Sequence, residues 1–321
     1  MRYIKKKLAV ILTGCLVLGI FPCAVALARG HVEVDRKCSI TVKVPDTWKD
    51  LDKADFNVEL YRVADIDKYG TYTANDTFKE LNDSLSKVDD KTTAEDWAAM
   101  GQMATEVVKA GNVEKAYNIE MKNGAGVCTD VETGLYLVYT EDVTTTGYGY
   151  SFTPYLLSAP NAKNASEDSA AGDWIYDDIV IGLKAEQYVL KGNLEIIKSL
   201  KTYNSSLGTP LFVFDVEAYD EEGNVVFSDI VSISFDAAGK RKAVVKDIPA
   251  GSKVVVTEVY SGSSYETVSA SEQSATIIAD EFVTVDFDND YTEHLVYGTG
   301  VVNHFEYDGT GWEWHQIKDN Q

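Results

Sequence analysis

Apolar and polar residues alternate with period two through most of this chain, which predicts strands. In the first half the runs are Cys38–Val44, Phe56–Val63, Gly134–Tyr139, Phe152–Leu157 and Trp174–Leu183. A second series follows at Leu194–Leu200, Leu211–Tyr219, Val225–Phe235, Lys242–Val245, Lys253–Tyr260, Ala275–Ile278 and Phe282–Asn289. These short runs, separated by turns such as Glu222-Gly223-Asn224 and Ala250-Gly251-Ser252, predict a β-sandwich. The only helical period lies at Trp97, Met100, Ala104 and Val107, with Thr93 to cap it, Asp96 three residues on and Gly111 to end it. The expected fold is therefore all-β: two tandem immunoglobulin-like sandwiches, the first carrying a helical insertion over about residues 93–110.

The ends differ from this pattern. Arg2, Lys5, Lys6 and Lys7 precede an apolar run, and Ala26-Leu27-Ala28 offers a small-residue cleavage site, so residues 1–28 read as an export signal. Leu12-Thr13-Gly14-Cys15 looks like a lipobox, but the apolar run before Cys15 is very short. The predicted domains are 29–190 and 193–293, with a polar boundary near Ala185–Gly192 and a C-terminal tail over 294–321. In that tail Val301–Tyr307 and Trp312–His315 predict a hairpin turning at Asp308-Gly309-Thr310-Gly311. Phe305, Tyr307, Trp312 and Trp314 fall on one face, and His304, Glu306, Glu313 and His315 on the other. The second face has the residue types of a zinc site, yet exposed cross-strand pairs of this kind are common, and no metal or cofactor is expected.

Charge and cysteines narrow the classes. The chain carries a formal charge of −22, and loss of the basic leader makes the exported part more acidic still. Such a charge repels nucleic acid and anionic membranes. Cys15 and Cys23 leave with the leader, and for an exported chain a Cys38–Cys128 disulfide is the expectation, two buried thiols the alternative. No zinc motif, nucleophile elbow or phosphate loop is present, and His31, His294, His304 and His315 all sit near the ends, so an enzyme is not expected.

Three polar residues fall in phase with an apolar strand face. Lys198 follows Leu194 and Ile196, Glu258 follows Val254 and Val256, and Asn289 follows Val283, Val285 and Phe287. All three are expected to point into one core, where buried Lys, Glu and Asn are costly unless they satisfy one another. Burial lowers the pKa of a lysine and raises that of a glutamate. A neutral Lys198 amine held against the Asn289 carboxamide, with Glu258 to shuttle protons, is the set required for an autocatalytic Lys–Asn isopeptide bond.

Residues 193–291 resemble the isopeptide-forming domain of Gram-positive pilins and collagen-adhesin B-type repeats. The matching stretches are Asn193–Lys198, Ile248-Pro249-Ala250-Gly251, Val254–Glu258 with Ser264-Tyr265-Glu266, and Val285–Tyr291. The resemblance implies that Lys198 and Asn289 are joined and that Glu258 catalyses. The first domain is similar to the N-terminal sandwich of sortase-assembled pilins, through Gly134–Val138, Tyr155–Pro160 and Trp174–Asp178. There it implies Lys184 as the lysine a sortase would join to the next subunit, although the tyrosine and proline before it are missing and the spacing is one residue long. No isopeptide is expected in that domain, because Lys43 lies off the apolar face and Thr140 stands at the acid position.

The implied protein is a structural or adhesive subunit of a cell-surface pilus or fibre, partnered by other subunits and a sortase. A secreted module that grips a host protein or glycan through some of its 19 tyrosines is the alternative. The sequence ends at Lys318-Asp319-Asn320-Gln321 without an LPxTG-like signal, which leaves truncation, surface attachment through another subunit, or secretion.

Overall fold

The computed structural model describes residues 30–45, 47–89, 91–162, 174–262 and 264–292, together with the backbone of Asn303–Tyr307 and Trp312–Gln316. The export signal and the turn expected at 308–311 lie outside the described residues. The chain divides into two compact units, Met1–Val189 and Leu190–Gln321.

In the first unit a long strand, Phe56–Ile66, pairs with Gly134–Tyr139, Tyr72–Ala74 and Tyr117–Met121, and Tyr155–Ala159 extends the sheet beyond Gly134–Tyr139. Cys38–Lys43 runs between the parallel Ile179–Gly182 and the antiparallel Ala125–Val131. Ile40, Val42, Val58, Leu60, Tyr136 and Val138 share a core between these layers. The other face of the large sheet is covered too. The helix Ala94–Lys109 buries Met100 and Ala104 in a cluster with Val63, Phe78, Leu81, Leu135 and Leu137. Thr93 and Asp96 form a reciprocal capping box, which fixes where the helix begins.

Several expected elements are corrected here. Trp174–Leu183 is two strands, because Asp178 takes a left-handed backbone (φ 56°) between Trp174–Ile175 and Ile179–Gly182. Phe152–Leu157 is the junction of two strands in different sheets, Tyr148–Phe152 and Tyr155–Ala159, separated at Thr153-Pro154. Proline has no N–H for a ladder, so the break falls where the chemistry requires it. Ala185–Val189, expected as linker, is a strand paired with Tyr148–Phe152.

Residues 191–291 of the second unit form a two-sheet sandwich of eight strands: β1 (Lys191–Leu200), β2 (Leu211–Tyr219), β3 (Val225–Ser234), β4 (Gly239–Pro249), β5 (Lys253–Tyr260), β6 (Tyr265–Thr267), β7 (Glu272–Thr276) and β8 (Phe282–Tyr291). One sheet has the order β4-β1-β8-β6 and the other β3-β2-β5-β7. Strict alternation buries Leu194, Ile196, Phe212, Phe214, Val216, Val254, Val256, Val285 and Phe287 between them. The first and last strands, β1 and β8, are adjacent and parallel, with Lys198 opposite Phe287 and Leu200 opposite Asn289. A parallel pair cannot be closed by a tight hairpin, and here the whole sandwich lies between its members in sequence.

At the start of β1 the ladder to β4 shifts register between Gly192 and Leu194. A Cβ at Gly192 would stand 2.0 Å from the carbonyl oxygen of Ile278, a backbone atom that cannot swing away. Gly192→Ala is expected to lower the stability of the second unit by about 1–3 kcal/mol. Denaturant unfolding of the variant checks this; an unchanged midpoint would contradict it.

Candidate functional site

Each of the three residues Lys198, Glu258 and Asn289 is a polar position in an inward-facing apolar row. On β1 the buried positions run Leu194, Ile196, Lys198 and Leu200; on β8 they include Val285, Phe287 and Asn289. Because β1 and β8 are parallel neighbours, Lys198 and Asn289 lie one diagonal step apart on the same face. Glu258 comes from the facing sheet. It is the last inward residue of β5 before the ladder to β2 shifts register, after which Val259 and Tyr260 are exposed. Its amide donates to the Ser271 carbonyl (2.8 Å), which holds the end of the strand in place. The far end of β8 is held from both sides: the Lys201 amide donates to the Asn289 carbonyl (3.0 Å), and β6 pairs Thr267 with Asn289.

The side chains meet in the core. Lys198 and Asn289 are 0 % exposed, and the Glu258 side chain is fully buried as well. The Lys198 Nζ donates to both Glu258 carboxylate oxygens, each at 2.9 Å, and to the Asn289 Oδ1. The Asn289 Nδ2 donates to Glu258 Oε1 at 2.9 Å. One carboxylate oxygen therefore touches both the lysine nitrogen and the amide nitrogen. The rings of Phe212, Phe214 and Phe287 surround the Nζ with centroids at 4.7, 5.7 and 5.9 Å.

Burial is the largest influence on both charged groups. It pulls the Lys198 ammonium below its ordinary range against the hydrogen bond and charge of Glu258, and the charge of Asp288. It pushes Glu258 above the usual carboxylate range against the same partner and the Asn289 amide. Both shifts favour transfer of a proton from lysine to glutamate, leaving a neutral amine and a carboxylic acid. The cluster can therefore supply a nucleophile, an electrophilic carboxamide and a proton carrier in one pocket closed to bulk solvent.

The other sequence-marked residues stand apart from this cluster. Lys184 is exposed in the first unit, where its Nζ lies 5.0 Å from the centre of the Tyr155 ring. Lys43 is exposed and Thr140 buried. Cys38 and Cys128 are free thiols in the structure. The ladder sets Cys38 opposite Val131 and Cys128 opposite Ile40, so the two are not direct cross-strand partners. Burial pushes the Cys38 thiol up to about 12. Among the described residues no group of His, Cys, Asp and Glu is placed to hold a metal ion, and no helix is long and apolar enough to cross a membrane. Sequence reasoning put Phe287 on the Asn289 face but missed Phe212 and Phe214, although their parity with Val216 carried them.

Residues 195–292 match a family described as "Domain of unknown function (DUF5979)". No curated protein matches. Among solved structures, the chain is similar to GBS52, the minor pilin of Streptococcus agalactiae, at 14% identity over 82% of this chain and 100% of that one, with a TM-score of 0.25. The full-length major pilin SpaD of Corynebacterium diphtheriae is 9% identical over 82% and 100% of the two chains, TM-score 0.28. The Bacillus anthracis TIE protein is 13% identical over 79% of this chain and 34% of that one, TM-score 0.32.

Removing Lys198 isolates the effect of burial on its partner. In Lys198→Met, Glu258 keeps the desolvation that raises its pKa and loses the lysine that opposes it. Its carboxyl then binds a proton more tightly in the folded than in the unfolded chain. The resulting stability is fully present below the unfolded value of about 4.3 and is lost as pH rises through the higher folded value. Denaturant unfolding should show Lys198→Met weakening from acid to neutral pH relative to Lys198→Met/Glu258→Gln, by up to roughly 3–5 kcal/mol, the usual cost of stranding a buried charge. Parallel pH curves for the two variants would contradict this.

Proposed function

We propose that this chain is a structural subunit of a Gram-positive surface fibre whose second unit cross-links itself through Lys198 and Asn289. The observation that carries the proposal is the contact of Glu258 Oε1 with both the Lys198 Nζ and the Asn289 Nδ2, at 2.9 Å each, inside a closed core. The Lys198 ammonium passes a proton to Glu258, and the freed amine attacks Asn289 Cγ. The tetrahedral carbon collapses as the amide nitrogen collects a proton through Glu258 Oε1 and departs as ammonia. Of the three ammonium protons one stays on the new amide, one leaves with the ammonia and one remains on Glu258. That end state suits a buried carboxyl, which is easier to bury protonated than charged.

The sequence resemblance of residues 193–291 to isopeptide-forming pilin and adhesin domains supports the same chemistry. A bond between β1 and β8 suits a load-bearing role. Force entering at the start of β1 and leaving at the end of β8 would pass through the amide, with β2 to β7 outside its path. Other subunits are the natural partners. Exposed Lys184 is the residue a sortase would use to join them, on the strength of the sequence resemblance in that region. The glycan- or protein-gripping alternative leaned on tyrosine abundance, and much of that abundance is packing: Tyr61, Tyr72, Tyr136, Tyr150, Tyr176 and Tyr265 are buried.

Single-molecule stretching from the two termini tests the mechanical role. Lys198 and Asn289 are 91 positions apart, so a cross-linked unit withholds about 300 Å of extended chain. Wild type is expected to lack that increment and Glu258→Ala to show it. Release of the full length by wild type would overturn the proposal.

A further inference from the structure

Lys198 and Asn289 occupy the inward face of the β4-β1-β8-β6 sheet, and its outward face carries a pattern of its own. Alternation turns Glu195, Ile197 and Ser199 of β1 outward, between the buried Leu194, Ile196, Lys198 and Leu200. On one side the ladder to β4 sets Val244, Lys242 and Lys240 opposite them. On the other side the ladder to β8 sets Thr284, Asp286 and Asp288. Three rungs therefore cross the face, and two of them run from a lysine on β4, over an uncharged residue on β1, to an aspartate on β8. Lys240, Lys242, Val244, Thr284 and Asp286 are exposed, and the other four positions are half-buried. The outward face of the other sheet has no such order: the rung through Asp215 passes Ile230 and Thr257 to reach Glu272, with acids and no base.

A face with opposite charges at the two ends of each rung complements itself. A twofold axis parallel to the strands and lying over β1 keeps every rung at its own height and exchanges β4 with β8. Lys240 then stands over Asp288 of the second copy and Lys242 over Asp286 of the second copy, and each pairing occurs twice, as in any isologous contact. Sheets stacked face to face lie about 10 Å apart, so the outward side chains of the two copies meet. Ile197 meets its own copy on the axis and forms an apolar centre inside the charged rim. Glu195 also meets its own copy there, and it already binds Lys242 of its own chain at 2.6 Å.

Charge decides the occupant. The chain carries a formal charge of −22, so two copies repel one another over most of their surface. At the nine positions of this face two lysines stand against three acids, close to balance, with both lysines on one strand. An acidic partner would be repelled at β8 and a basic one at β4, whereas a second copy answers both ends at once. We propose that the outward face of β4, β1 and β8 is the interface of a twofold dimer of this chain. The dimer goes beyond the cross-link and does not depend on it, because Lys198, Glu258 and Asn289 are buried on the inward side.

Sedimentation velocity on the purified chain over a concentration series tests the interface. Wild type is expected to pass from monomer to dimer. Lys240→Glu alone and Asp288→Lys alone should each stay monomeric, because each sets like charges over one another. An equimolar mixture of these two variants should form a one-to-one dimer, since the reversed charges then face each other. Ile197→Arg places two cations on the axis and should abolish the dimer, which gives a reading independent of how Asp288→Lys folds. A wild type that stays monomeric at the highest attainable concentration would overturn the proposal. So would a dimer that persists in Ile197→Arg, or a mixture of the two folded charge variants that remains monomeric.

Discussion

The second unit depends on how three polar side chains are reconciled with an apolar core. Lys198, Glu258 and Asn289 are withdrawn from water among Phe212, Phe214 and Phe287, where an isolated charge would be far costlier than any single packing defect. As an ion pair they still bear a desolvation cost that replacement by apolar residues would avoid. Proton transfer within the pair removes the charges, and amide formation removes the amine itself. The same burial that makes the ground state expensive therefore also drives the proposed reaction.

Topology brings the three together. Lys198 and Asn289 sit on the first and last strands, which the sandwich makes parallel neighbours, and Glu258 reaches across from the facing sheet. No local sequence signal could place residues 91 positions apart in hydrogen-bond contact. The fold supplies the proximity that an uncatalysed amidation lacks, and rigid packing on both sides of β8 keeps it.

How much of this could be read in the sequence follows from how each strand is covered. In the second unit β1, β2, β5 and β8 each have one buried face, so period-two alternation located β2 and β5 at their observed ends and put Lys198, Glu258 and Asn289 on inward positions. The first unit was harder. Gly134–Tyr139 is covered on both faces, so its apolar run does not alternate, and the layer that covers its second face comes from a distant helix. Short strands such as Tyr72–Ala74 and Ala185–Val189 are settled by pairing rather than by their own residues. The cysteines depend on pairing in the same way: they lie on adjacent strands, and register sets Cys38 opposite Val131 and Cys128 opposite Ile40. For the hairpin near the C-terminus, turn chemistry and parity gave the register from sequence alone, because a two-stranded ladder has little else to decide it.

The most direct measurement is the intact mass of the reduced chain, beside Lys198→Ala, Glu258→Ala and Asn289→Ala. Wild type is expected to be lighter than its sequence by one ammonia, with that deficit absent from all three variants. A wild-type mass equal to that of the plain sequence would contradict it, and would leave the buried cluster as a hydrogen-bonded ion pair and nothing more.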